Sequence, residues 1–113
     1  MRRSGAKAAL CKTLATQRRR RALKRFVIER EIPCVGTFDR AELQAAAKRS
    51  NDALRQLGSD IQWIESFVAE DKTFCIYLAK DEEIIRRHAE LSGFPGNKIT
   101  EIRTMIDPTT ERG

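Results

Sequence analysis

Two helix start signals divide the strand-like runs of this chain into a one, two, one pattern, and that order restricts the fold more than any other feature of the sequence. The first signal is Asp39 followed three residues later by Glu42, the capping-box spacing in which each side chain accepts from a free backbone N–H of the first turn. Behind it Leu43, Ala47, Ser50, Leu54 and Leu57 recur in steps of three or four on one face. Arg40, Lys48, Asp52 and Arg55 occupy the other, and Gly58 supplies the stop. The second signal is Asp81, with Glu82 and Glu83 where the positive end of the helix dipole favours them. That helix is expected to run to about Ser92 and to end at Gly93-Phe94-Pro95-Gly96. The strand-like runs go from Arg25 to Ile32, stopped by Pro33, from Ile61 to Val68, from Thr73 to Leu78, and from Ile99 to Ile106. The polar stretch Ala69-Glu70-Asp71-Lys72 makes the middle two a hairpin.

The order β-α-β-β-α-β is that of the ferredoxin-like α+β fold, in which right-handed crossovers place both helices on one face of a four-stranded antiparallel sheet. The other face is left bare. Pairing the hairpin across its turn groups Trp63, Glu65 and Phe67 with Phe74, Ile76 and Leu78, and Gln62, Ile64, Ser66 and Val68 with Thr73, Cys75 and Tyr77. The first set is the more apolar and is predicted to lie under the helices. The second still presents Ile64, Val68 and Tyr77, which predicts a homodimer of the dimeric α/β-barrel type through the sheets, or a ligand between them.

Charge splits the chain into two parts. The first 25 residues hold ten of the 22 Lys and Arg and no acid, which leaves 12 basic against 16 acidic residues in the remaining 88. The net +6 therefore belongs to a leader, and the body is mildly acidic. The expected organisation is a disordered basic leader over 1–23, a ferredoxin-like domain over 24–107 and a polar tail over 108–113. The leader also reads as a targeting segment or a mis-assigned start. Nucleic acid is implied only through it, and no aromatic residue interleaves its arginines to stack on bases. No apolar run is long enough to span a membrane. Cys11, Cys34 and Cys75 are odd in number and form no C-x-x-C pair, so a reducing, cytoplasmic setting is expected. A body of 88 residues builds one small core that gains from a partner.

The candidate chemistry is sparse. His88 follows Ile84 by four residues and Ile85 by three, which turns it toward the buried side of its helix, as a structural histidine or as a ligand. Glu29 and Glu31 alternate to one face of the first strand, as a paired-carboxylate cation site or as a charged strand end. Glu29, Glu31 and His88 form the candidate metal set; they can meet only at the rim of the sheet, because His88 starts from the helical layer. The alternative is a small-molecule pocket beside the sheet with Gln62, Trp63, Ser66, Cys75 and Tyr77, in a binder or enzyme of the dimeric α/β-barrel kind. A purely structural interaction module needs neither site. No glycine-rich phosphate loop, Ser/His/Asp set or H-x-x-x-H pair occurs, and no catalytic residue is assigned.

Phe74-Cys75 in the third strand, Ala79 closing it, the helix through His88, and Gly93-Phe94-Pro95 leading to Ile99-x-Glu101-Ile102 resemble the small bacterial ferredoxin-like proteins grouped around a nickel-binding member. The resemblance spans about Lys24 to Asp107. It implies a compact α+β subunit, a dimer and binding of divalent nickel. Where the nickel-binding member has histidines near the end of the first strand, this chain has Glu29-Arg30-Glu31-Ile32-Pro33.

Overall fold

The computed structural model describes residues 22–113, so the expected basic leader lies, but for its last two positions, outside the described residues. Strand β1 (Lys24–Glu31) leads to helix α1 (Arg40–Leu57), the hairpin of β2 (Ile61–Val68) and β3 (Lys72–Ala79), helix α2 (Glu82–Ser92) and strand β4 (Lys98–Ile102). The sheet order is β2-β3-β1-β4, antiparallel throughout, with both helices on one face, as the β-α-β-β-α-β order requires. Both start signals act as read. The Asp39 carboxylate accepts from the Glu42 N–H at 2.8 Å while the Glu42 carboxylate accepts from the Asp39 N–H at 3.0 Å. Asp81 accepts from the Ile84 N–H at 3.0 Å, and Gly93, left-handed at φ 78°, ends α2. The last strand stops at Ile102, short of the expected Ile106, and Met105 and Ile106 are exposed.

The turn between β1 and α1 is pinned against the hairpin loop. Gly36 donates its N–H to the Glu70 carbonyl at 2.9 Å, and Cys34 donates to the Asp71 carboxylate at 2.9 Å. A Cβ at Gly36 would lie 2.8 Å from the Ala69 carbonyl oxygen and 2.9 Å from Glu70 Cα, so only glycine permits this approach. The contact fixes the buried Val35 beside the sheet.

The faces of the sheet are reversed from the sequence reading. Thr73, Cys75, Tyr77 and Ala79 are buried under the helices, and Phe74, Ile76 and Leu78 lie half-buried on the open face with Val27 and the exposed Phe67. Strand β1 decides the matter, because its register places Phe26 opposite Tyr77 and Ile28 opposite Cys75. Phe26 and Ile28 join Ile61, Cys75, Tyr77, Ala79, Ile84 and Ile85 in the core, with Leu54, Leu57, Trp63 and Ile99 packed against it. Both faces of the hairpin are apolar, so apolarity alone could not orient it. Of Ile64, Val68 and Tyr77, expected together on the bare face, Tyr77 is buried under the helices, whereas Ile64 and Val68 are exposed.

Strand β2 also departs from strict alternation. Trp63 pairs with Tyr77 and Glu65 with Ile76, leaving Ile64 as the extra residue of a β-bulge. The change of phase keeps Trp63 on the helical side, as expected, but brings Ser66 and Val68 there too and turns Glu65 and Phe67 to the open face.

Candidate functional site

Small residues on α1 make room for a cavity. Its inward positions Ala46, Ala47 and Ser50 face Thr73 and Cys75 of β3, and such short side chains cannot fill the space between helix and sheet. A pocket of about 260 Å³ results, open on one side, with Leu43 at its mouth, Trp63 and Val68 from β2, and Phe94 from the α2–β4 loop. Val35 and Phe38, held by the pinned turn, complete the wall.

Among the described residues, Arg30 is the single charged residue lining this cavity. It occupies the inward phase of β1 after Phe26 and Ile28 and is 2 % exposed. Its Nη1 donates to the Pro95 carbonyl at 2.8 Å, while its buried Nη2 has no hydrogen-bond partner among the described residues. The guanidinium lies 5.9 Å from the ring centroids of both Tyr77 and Phe94, and Arg49 sits 4.4 Å from the Phe94 centroid. No carboxylate of the described residues lines the pocket. A buried cation without a counter-ion is an expensive arrangement that a fold does not retain for stability. The sequence reading passed over Arg30, although the alternation Phe26-x-Ile28-x-Arg30 places a charge in a core position and could have flagged it.

Beside the cavity a hydrogen-bonded chain crosses from α2 to the sheet. His88 is fully buried, its Nε2 is 3.1 Å from Ser50 Oγ, and Ser50 Oγ is 3.4 Å from the Tyr77 hydroxyl. The rings of His88 and Tyr77 are tilted by 59° with centroids 5.2 Å apart. Burial, reinforced by the charge of Arg30 and opposed by a hydrogen bond with the Ser50 backbone, lowers the pKa of His88 from 6.5 to about 4, so the imidazole is neutral. Burial raises the pKa of the Tyr77 hydroxyl, with the Ser50 hydrogen bond and Arg30 acting in the other direction. Nδ1 of His88 has no hydrogen-bond partner among the described residues.

The proposed metal ligands are not brought together within the subunit. Strand alternation puts Glu29 on the open face, between Lys72 at 3.6 Å and Lys98 at 3.9 Å, and Glu31 is exposed at the end of the strand. His88 is enclosed on the far side of the sheet, so the expected meeting at the rim does not occur. Among the described residues no group of three or more His, Cys, Asp or Glu is placed to hold a metal ion. The alternative pocket set fares differently. Trp63, Ser66, Cys75 and Tyr77 all line the cavity, and Trp63 Nε1 donates to Ser66 Oγ at 2.9 Å across the bulge. Gln62 does not line it: it pairs with Leu78 on the open face.

The family model described as nickel responsive protein SCO4226-like matches residues 26–102. The chain belongs to this family. The crystal structure of SCO4226 from Streptomyces coelicolor A3(2) superposes with a TM-score of 0.62 at 13% identity, covering 73% of this chain and 99% of that one. At that identity the likeness shows the shared fold. No curated protein matches the chain. The family resemblance read from Phe74 to Ile102 therefore holds, and the family's description carries a nickel-related association.

Proposed function

We propose that the protein is a homodimeric small-molecule-binding member of the nickel-responsive family, with the cavity under α1 as its binding site. The observation that carries this reading is the cavity itself, an apolar chamber with polar groups from Arg30, Ser50 and Tyr77 gathered along one part of its wall. Its volume is near the lower end of ligand pockets, which typically begin at about 300 Å³, so the ligand is compact. Apolar side chains on the open face, Val27, Phe74, Ile76 and Leu78 with Phe67, support pairing of two subunits through their sheets. The neutral apolar dye N-phenylnaphthylamine, whose fluorescence rises on leaving water, tests the cavity. Wild-type protein should bind it, and Ala47→Phe, which fills the chamber, should abolish binding while circular dichroism stays native. Equal dye binding by a folded Ala47→Phe variant would remove the cavity reading.

Binding of a divalent ion is the second reading, favoured by the family match. In this chain its protein ligands are the carboxylates Glu29 and Glu31, and two oxygen donors give modest affinity and little discrimination among nickel, cobalt and zinc. Nickel calorimetry on protein purified without a metal-affinity tag should give the same heats for His88→Ala as for wild type, because no part of the imidazole reaches solvent. Glu29→Gln combined with Glu31→Gln should remove them. Nickel binding lost in a folded His88→Ala variant would instead place the imidazole in the site.

A further inference from the structure

Resting on the cavity reading, we propose that the ligand is a small apolar monoanion, a carboxylate on a compact hydrocarbon body, bound with its head at Arg30 and Tyr77. A guanidinium carries five N–H donors in a planar fork suited to carboxylate oxygens. Arg30 uses Nη1 on the Pro95 carbonyl and leaves Nη2 buried without an acceptor among the described residues, none of which brings an acid to the chamber wall. A carboxylate supplies both the missing acceptor and the missing counter-charge. A neutral ligand supplies at most the first. A dianion would bring one negative charge too many into an apolar chamber that offers a single buried cation.

The hydrogen-bonded chain behind Tyr77 supplies a second donor. A neutral His88 carries one ring proton, on Nδ1 or on Nε2. A proton on Nδ1 would leave a buried N–H with no acceptor, whereas a proton on Nε2 leaves only an unused lone pair, the less costly of the two. With the proton on Nε2, His88 donates to Ser50, Ser50 donates to the Tyr77 oxygen, and the Tyr77 O–H is free to donate into the cavity it lines. The buried chain thus fixes Tyr77 as a donor toward an acceptor-only head group. The hydrocarbon body then lies along Trp63, Val68 and Leu43. Arg49, exposed at the rim and stacked on Phe94, adds a positive charge at the approach to the site.

Displacement of bound N-phenylnaphthylamine by hydrocinnamate and octanoate, each set against its own neutral amide, tests the inference. In wild-type protein the acids should displace the dye at concentrations at least tenfold lower than their amides. Arg30→Gln should still bind the dye but bring acid and amide within about twofold, and Arg30→Lys should recover part of the difference as a point charge without the fork. Should Arg30→Gln fail to fold, Tyr77→Phe decides: it should weaken the acids several-fold and the amides less, because a hydrogen bond to a charged acceptor is the stronger. Equal displacement by acid and amide in wild type, or an acid preference that survives in folded Arg30→Gln, overturns the anion assignment and leaves the cavity standing. Absence of dye binding in wild type overturns the cavity reading and the inference with it.

Discussion

Lowering the pH from 6.5 toward about 4 should destabilise the folded protein by about 3 kcal/mol, and His88→Leu should remove most of that dependence. The sign follows from which state takes up the proton. In the unfolded chain His88 titrates near its ordinary 6.5; in the fold it stays neutral until about 4, because protonation would place a cation in the core close to Arg30. Below 6.5 the unfolded state therefore binds a proton that the native state refuses. Stability is greatest above that value, falls by about 1.4 kcal/mol per pH unit through the window, and levels off below it. Against a total stability on the order of 5–15 kcal/mol for a domain, this is a large share. Urea midpoints for both proteins across the window measure it; parallel slopes would show that the imidazole is not the group responsible. Leucine replaces the ring with an apolar side chain of similar bulk, so the comparison isolates titration from packing.

Ile76→Glu should convert a dimer to a monomer at micromolar concentration, as read by light scattering. Ile76 lies in the middle of the open face, opposite Val27 on one side and Glu65 on the other. A carboxylate there would have to leave water without a partner when two faces meet, at a cost of several kcal/mol. A two-fold axis imposes that cost twice. Ile106→Glu, a charge added at an exposed position outside the sheet, should leave the mass unchanged. A monomeric wild type would count against pairing through this face.

The element order was legible because its signals are local. A capping box at Asp39, a capping aspartate at Asp81 and a left-handed glycine at 93 act on the few residues around them, and none depends on the rest of the fold. The burial of His88 was likewise legible from its spacing to Ile84 and Ile85. Its hydrogen bond to Ser50 was not, since that contact exists only once α1, α2 and β3 have packed together. The orientation of the hairpin failed for a physical reason: Phe74, Ile76 and Leu78 are more apolar than Thr73, Cys75 and Tyr77, yet they face outward, where a partner rather than the helices can cover them. With both faces of the hairpin apolar, apolarity does not tell which one the helices cover. The candidate site suffered from the same error. With Tyr77 and Cys75 assigned to the open face, nothing drew attention to Arg30, whose phase along β1 already set it beside them. Glu29 and Glu31 were correctly placed on a common face of β1, but that face is the one His88 cannot reach.

The bulge at Ile64 makes the length of the chain, and not only its composition, part of this architecture. On either side of it, each residue of β2 from Ile61 to Val68 keeps a partner on β3, so removing Ile64 alone would leave those partners and both surfaces in place. The same one-residue deletion within β3 would move every paired residue on one side of the deletion to the opposite surface. Within this hairpin, position 64 is thus where a residue can be gained or lost while one face stays under the helices and the other stays open.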